Sequence, residues 1–245
     1  MTNPLSAMRE FESPQDHKQE LQILVGIALI SVALWQTKIG SLILYPFTIL
    51  ATWFHEMGHG LMAMLAGYEF ENLVIYSSGS GVATMMMPSD SYRVTQALIA
   101  ASGPLGPGIA GSLLIISSRT QRAAKTALMV LGAALLISTL IWVRSITGWI
   151  VLPALGAVII VLARYGRPAH QRLGIQILGI QACISVWQQF DYLFTPGGVI
   201  NGQLQRSDTG VIADLLLLPY WMWGGIISAA ILAMLWWSFR IAYRK

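Results

Sequence analysis

Seven apolar stretches, at about 21–37, 42–66, 94–118, 123–143, 147–163, 172–195 and 211–238, dominate the chain. Each comes close to or exceeds the roughly 20 residues that a helix needs to cross the hydrocarbon of a bilayer. Of the 245 residues 55% are hydrophobic and only 11% charged, with a mean hydropathy of +0.62. A soluble domain carries about a quarter charged residues, so this chain cannot clothe a water-facing surface. The expected fold is an all-α polytopic membrane protein of about six to seven transmembrane helices. A polar N-terminal arm over 1–20 precedes a single transmembrane domain over 21–245, and nothing in the pattern leaves room for an added soluble domain.

The arm carries Arg9, Glu10, Glu12, Asp16, Lys18 and Glu20, a mixed set without the basic start and small-residue cleavage site of a signal peptide. The net charge of +4 reads as loop charge that orients the spans, and no nucleic-acid surface is expected. Counted over seven alternating spans, the side of the C-terminus collects Lys38, Arg119, Arg122, Lys125, Arg164, Arg167, Arg172, Arg240, Arg244 and Lys245. Arg9, Lys18, Arg93, Arg144 and Arg206 fall on the other side. By the positive-inside rule the C-terminus is cytoplasmic. The lone cysteine, Cys183, allows no intrachain disulfide and reads as a small buried hydrophobe.

One connection is more than a loop. Residues 69–88, EFENLVIYSSGSGVATMMMP, place two β-prone runs around Ser-Gly-Ser-Gly and predict a hairpin. Its exposed backbone edge could pair with another extended peptide, or it could be a plain structured surface loop.

The second stretch holds FHEMGHG, residues 54–60. On a helix His55 and His59 stand on one face, one turn apart, a separation that lets both imidazoles bind one metal ion. Glu56 is displaced by about 100° and can serve as a base without being a ligand. Zinc lowers the pKa of a bound water to about 7. Chance, or two histidines turned to a polar bundle interior, is the plainer explanation. Inside an apolar run, however, each ionisable group needs a partner, a cavity or a metal to offset its desolvation.

Two imidazoles need a third protein ligand. His17 lies in the arm, His170 in a loop on the opposite face, and Cys183 too deep. Asp191, Asp208 and Asp214 remain. At 1.5 Å per residue, Asp191 near the end of the sixth stretch and His55 to His59 near the end of the second agree in depth to within roughly 10 Å. Asp208, in QRSDTG, stands just before the seventh stretch on the same face, and Asp214 follows inside it. A helix N-cap is the ordinary role for Asp208, a bundle hydrogen bond for Asp214, and a structural role beside Gln188 and Gln189 for Asp191. The sequence leaves Asp191 and Asp208 both open.

The third stretch contains ASGPLGPGIAG, residues 101–111. Ser102, Gly106 and Ala110 form a small-residue stripe for close helix contact. Pro104 and Pro107 free backbone carbonyls, which suits a kinked packing helix and also a helix lining the site.

The HEMGH frame in an early span, a β-like segment, the SGPLGP span and a late span opening at an Asp together resemble the site-2 protease family of intramembrane zinc metallopeptidases. The match is to the compact branch without an inserted PDZ domain, and it covers most of residues 42–225, the expected catalytic core. The resemblance implies a Zn²⁺ cofactor held by His55, His59 and an Asp, Glu56 as general base, and membrane-spanning protein substrates cut near or within the bilayer. The family's Leu-Asp-Gly type string is incomplete here: SDTG at Asp208 and FDYL at Asp191 are the nearest. Ser102, Gly103 and Pro104 would contact substrate. The competing classes are a non-catalytic scaffold or pseudoprotease retaining a metal site, and a small transporter. A transporter needs ionisable groups through the full membrane depth, whereas here they cluster toward one side.

Overall fold

The computed structural model describes residues 14–88, 90–188, 190–200 and 202–244. Of the expected polar arm, residues 1–13 lie outside the described residues, and from Pro14 the chain is helical. Among the described residues the helices are α1 (Pro14–Trp35), α2 (Lys38–Ile43), α3 (Tyr45–Leu65), α4 (Arg93–Ser117), α5 (Gln121–Ile141), α6 (Ile146–Tyr165), α7 (Pro168–Gln188), α8 (Phe190–Leu193), α9 (Asp208–Leu215) and α10 (Tyr220–Ala242). Hairpins β1–β2 (Glu69–Ile75, Gly81–Met86) and β3–β4 (Gly197–Ile200, Gln203–Arg206) interrupt them.

Among the described residues, α4, α5, α6 and α10 are long and apolar enough to cross a membrane. The expected seven spans each contain helix, but α3 and α7, at 21 residues apiece, are not among those four. In the stretch at 172–195, Gln189 lies outside the described residues, with α7 before it and the one-turn α8 after it. The stretch at 211–238 divides into α9 and α10 across 216–219, where Leu218 takes a positive φ of 81° and Pro219 disfavours helix in the residue before it. The expected hairpin over 69–88 is present; the second hairpin, over 197–206, was not anticipated.

Helix starts follow local chemistry. The hydroxyls of Thr37, Thr120, Ser145 and Ser207 accept from backbone N–H groups three residues on, each satisfying a donor that has no partner within its helix.

The bundle is centred on α4 and α7. Gly111 on α4 and Gly179 on α7 face each other so closely that a Cβ on Gly179 would meet the Gly111 carbonyl oxygen at 2.6 Å. The polar groups that lower the hydropathy of α7 are spent on its neighbours. Gln171 donates to Ala163 O and Gly166 O, both at 2.9 Å. Gln176 donates to Ser118 Oγ at 3.2 Å and Tyr243 Oη at 3.1 Å, and Gln181 to Ser31 Oγ at 2.6 Å. Arg172 makes a two-bond pair with Glu20 of α1 at 2.9 Å each. Such groups are tolerated in an apolar bundle because they find partners on other helices.

The first hairpin is anchored on both sides. In β1, Leu73 pairs with Ala83 of β2 and forms a parallel bridge to Val143 in the α5–α6 connection, through Leu73 N to Trp142 O and Arg144 N to Leu73 O, both 2.9 Å. Phe70 stacks on Trp142 at 5.2 Å between ring centroids and lies against Gly60 of α3.

Gly179→Val should force α7 away from α4. Overpacking of this kind costs about 1–3 kcal/mol, so the thermal midpoint of the purified protein in detergent, followed by circular dichroism, is expected to fall by several degrees.

Candidate metal centre

The third helix, α3, brings His55, Glu56 and His59 into the interior at 6%, 6% and 8% exposure. The HEMGH spacing places the two imidazoles edge to face, with ring centroids 4.9 Å apart and Nε2 atoms 3.2 Å apart. Their seat is made by α4. A Cβ on Gly58 would strike the Ser102 carbonyl, and one on Gly106 would meet Phe54 O at 2.5 Å. A Cβ on Gly103 would run into the His59 ring and stand 2.8 Å from His55 Nε2. Glycine at these three positions lets the two backbones touch.

Asp208 completes the group from the far end of the chain. It is 8% exposed, with one carboxylate oxygen 3.0 Å from His55 Nε2 and the other 3.3 Å from His59 Nε2. Asp208 is the first residue of α9, and the N-cap is Ser207, whose hydroxyl accepts from Gly210 N and donates to Thr195 O at 2.5 Å. Thr209 donates to Leu193 O at 2.9 Å. Farther along, Arg206 of β4 pairs with Asp214 of α9, through Nε to Oδ2 at 2.8 Å and through Nη2 to both oxygens. This exposed pair holds the Asp214 carboxyl below its usual range and ties the second hairpin to the helix that carries Asp208.

The structure brings Asp208, and neither Asp191 nor Asp214, to the imidazoles. His55, His59 and Asp208 form a group able to hold a metal ion. Asp191 is exposed on α8; Gln189, named beside it as a structural partner, lies outside the described residues. His170 is exposed, and Cys183 is buried against Gly111 and Ser112.

The donor set fits a divalent cation. His59 Nδ1 lies 2.7 Å from the carbonyl oxygen of Ile99. A carbonyl only accepts, so Nδ1 carries the proton and, in the neutral ring, Nε2 presents a lone pair. That lone pair faces a second imidazole nitrogen and a carboxylate oxygen at about hydrogen-bond distance, an arrangement that a ring proton or a shared metal cation relieves. Bonds of about 2.0–2.1 Å in tetrahedral array set ligand atoms roughly 3.3 Å apart, close to the 3.2 Å between the two Nε2 atoms, and Asp208 offers a carboxylate oxygen within 4.8 Å of both. Two neutral imidazoles with the Asp208 and Glu56 carboxylates amount to two buried negative charges, which a dication balances. The Nδ1-to-carbonyl bond is the usual way a ligand imidazole is oriented.

Glu56 lies within electrostatic reach of the trio and packs against β2. The backbone N–H of Ala83 is within hydrogen-bonding reach of its carboxylate, and a Cβ on Gly81 would stand 2.7 Å from its Cγ. Beside it a cavity of about 230 Å³ is lined by Thr48, Thr52, His55, Glu56, Ser78, Gly79, Ser80, Gly81, Gln188 and Tyr192. Sequence reasoning missed Tyr192, Gln188 and Gly81. Tyr192 adjoins Asp191 in FDYLF, where the sequence points only to the carboxylate. Ser102, Gly103 and Pro104, expected to contact substrate, do not line this cavity: the Ser102 hydroxyl turns back onto Ile99 O at 2.6 Å, Gly103 supports the imidazoles, and Pro104 is buried.

The family model described as Peptidase M50B-like matches residues 24–238. Comparison with curated proteins and with solved structures gives no match.

Asp208→Ala should reduce bound metal, measured by plasma mass spectrometry on purified protein, to less than a tenth of the unaltered chain. Asp191→Ala should leave it unchanged.

Proposed function

We propose that this chain, which belongs to the Peptidase M50B-like family, the site-2 protease-like peptidases, is an intramembrane zinc endopeptidase that hydrolyses peptide bonds of membrane-spanning proteins. The observation that carries this reading is the meeting of His55, His59 and Asp208 in one buried group, with His55 and Glu56 both lining the adjoining cavity. His55, His59 and Asp208 are the groups that would hold Zn²⁺. When bound, the ion would polarise the scissile carbonyl and make water a better nucleophile at neutral pH.

The protein's own residues supply the rest. Glu56 removes a proton from water as its oxygen adds to the carbonyl carbon, and returns that proton to the amine nitrogen as the C–N bond breaks. The Ala83 N–H and the close Gly81 backbone aim the carboxylate. Thr52 donates to Gly79 O at 2.5 Å and thereby pins the β1–β2 turn to α3.

A substrate helix shields its peptide bonds, so it must be extended locally to be cut. In β1 both edges are committed, to β2 and to the Val143 segment. The outer edge of β2, which faces Glu56, supports the reading that an extended substrate is held there by strand addition. The excess of Lys and Arg on the C-terminal side of the expected spans supports a cytoplasmic C-terminus.

Glu56→Gln should lower cleavage of a membrane-spanning test substrate by 10³-fold or more with zinc content intact. Cleavage retained by that variant would refute the role of Glu56, and purified protein without zinc would favour a non-catalytic scaffold.

A further inference from the structure

The cavity beside Glu56 is lined by several side chains able to donate a hydrogen bond, and most of them are already engaged. The Thr52 hydroxyl donates to Gly79 O at 2.5 Å. Ser78 and Ser80 pair with each other at 2.8 Å. The Gln188 amide donates to Thr48 Oγ1 at 3.0 Å, and Thr48 stands about two helical turns, roughly 10 Å, before His55. Glu56 accepts and does not donate while it acts as a base.

Tyr192 is different. It is half-buried on α8, lines the same cavity as His55 and Glu56, and lies within electrostatic reach of both Glu56 and Asp208. The one side-chain donation made by its hydroxyl goes to Arg206 O at 3.5 Å, too long to hold the proton firmly. The Asp208 backbone approaches the phenol oxygen, which steadies the group from the side of α9. A phenol on two rotatable bonds thus presents a loosely committed O–H at the cavity that the base also lines. Because both groups line one cavity, a carbonyl seated there can offer its oxygen to Tyr192 and its carbon to the water held by Glu56.

We propose that Tyr192 is a catalytic residue of the peptidase reaction, donating its phenol O–H to the scissile carbonyl oxygen as that oxygen gains negative charge. The inference rests on the peptidase reading above. As the water oxygen adds to the carbonyl carbon, the C=O π pair moves onto oxygen, the proton lost by water goes to Glu56, and the Tyr192 O–H bond stays intact throughout. Its hydrogen bond strengthens with the charge and relaxes when the carbonyl reforms and the amine leaves. A preorganised donor of this kind in a water-poor site typically contributes about 10²–10³ in kcat.

The test compares unaltered protein, Tyr192→Phe and Glu56→Gln in detergent or liposomes, using a membrane-spanning substrate and a phosphinic peptide of the same sequence as a tetrahedral mimic. Tyr192→Phe should lower kcat about 10²–10³-fold with KM within about twofold and zinc content and thermal midpoint unchanged. It should weaken binding of the phosphinic peptide by a similar factor. Binding of the uncleaved peptide, measured in the Glu56→Gln background with and without Tyr192→Phe, should stay the same. If the unaltered protein does not cleave, the peptidase reading itself fails. If it cleaves and Tyr192→Phe matches it in rate and in mimic affinity, the assignment of Tyr192 alone is overturned. A rise in KM alone, or a loss of zinc, would equally overturn it, in favour of substrate binding or of a structural role.

Discussion

The contact between α3 and α4 determines where everything else can stand. Gly58, Gly103 and Gly106 bring the two backbones together, and through that contact the Ile99 carbonyl reaches His59 and fixes its tautomer. A side chain at any of the three would move the imidazoles relative to Asp208, which arrives on a separate helix. Ligand bonds tolerate errors of only a few tenths of an ångström. The packing of apolar helices and the chemistry of the centre are therefore one constraint.

A second layer of order comes from the hairpin. β1 and β2 do not float at the bundle surface. Leu73 is bonded into the α5–α6 connection, Phe70 is clamped between Trp142 and Gly60, and Thr52 holds the turn. Glu56 is thereby positioned by elements on either side of its own helix. In the proposed reaction, a base held by backbone groups keeps its aim when the substrate enters.

Much of this was legible in the sequence, for physical reasons that differ from residue to residue. The HEMGH spacing stood out because three ionisable groups in an apolar run need a shared partner. The first hairpin stood out because β-prone runs flanked a Gly-Ser turn. The choice between Asp191 and Asp208 was not legible, because both lie at compatible depth and only tertiary structure turns one inward. The break at 216–219 was signalled by Pro219, but four consecutive leucines masked it. The second hairpin carried its own signal in Val-Ile-Asn-Gly-Gln-Leu, the two-residue turn sequence of a tight hairpin, and Gly202 does adopt a φ of 79°. The polar residues of α7 lowered its apparent fitness as a span, and pattern reading cannot tell a buried polar side chain that finds a partner from one that faces water.

The centre draws its parts from chain segments about 150 residues apart, since His59 lies on α3 and Asp208 opens α9. At ~5–20 residues per second of synthesis, roughly seven to thirty seconds separate their emergence from the ribosome. During that interval the nascent chain holds two histidines without their carboxylate. A polypeptide stalled anywhere short of Asp208 lacks the third donor altogether, so no such partial chain carries the complete donor set.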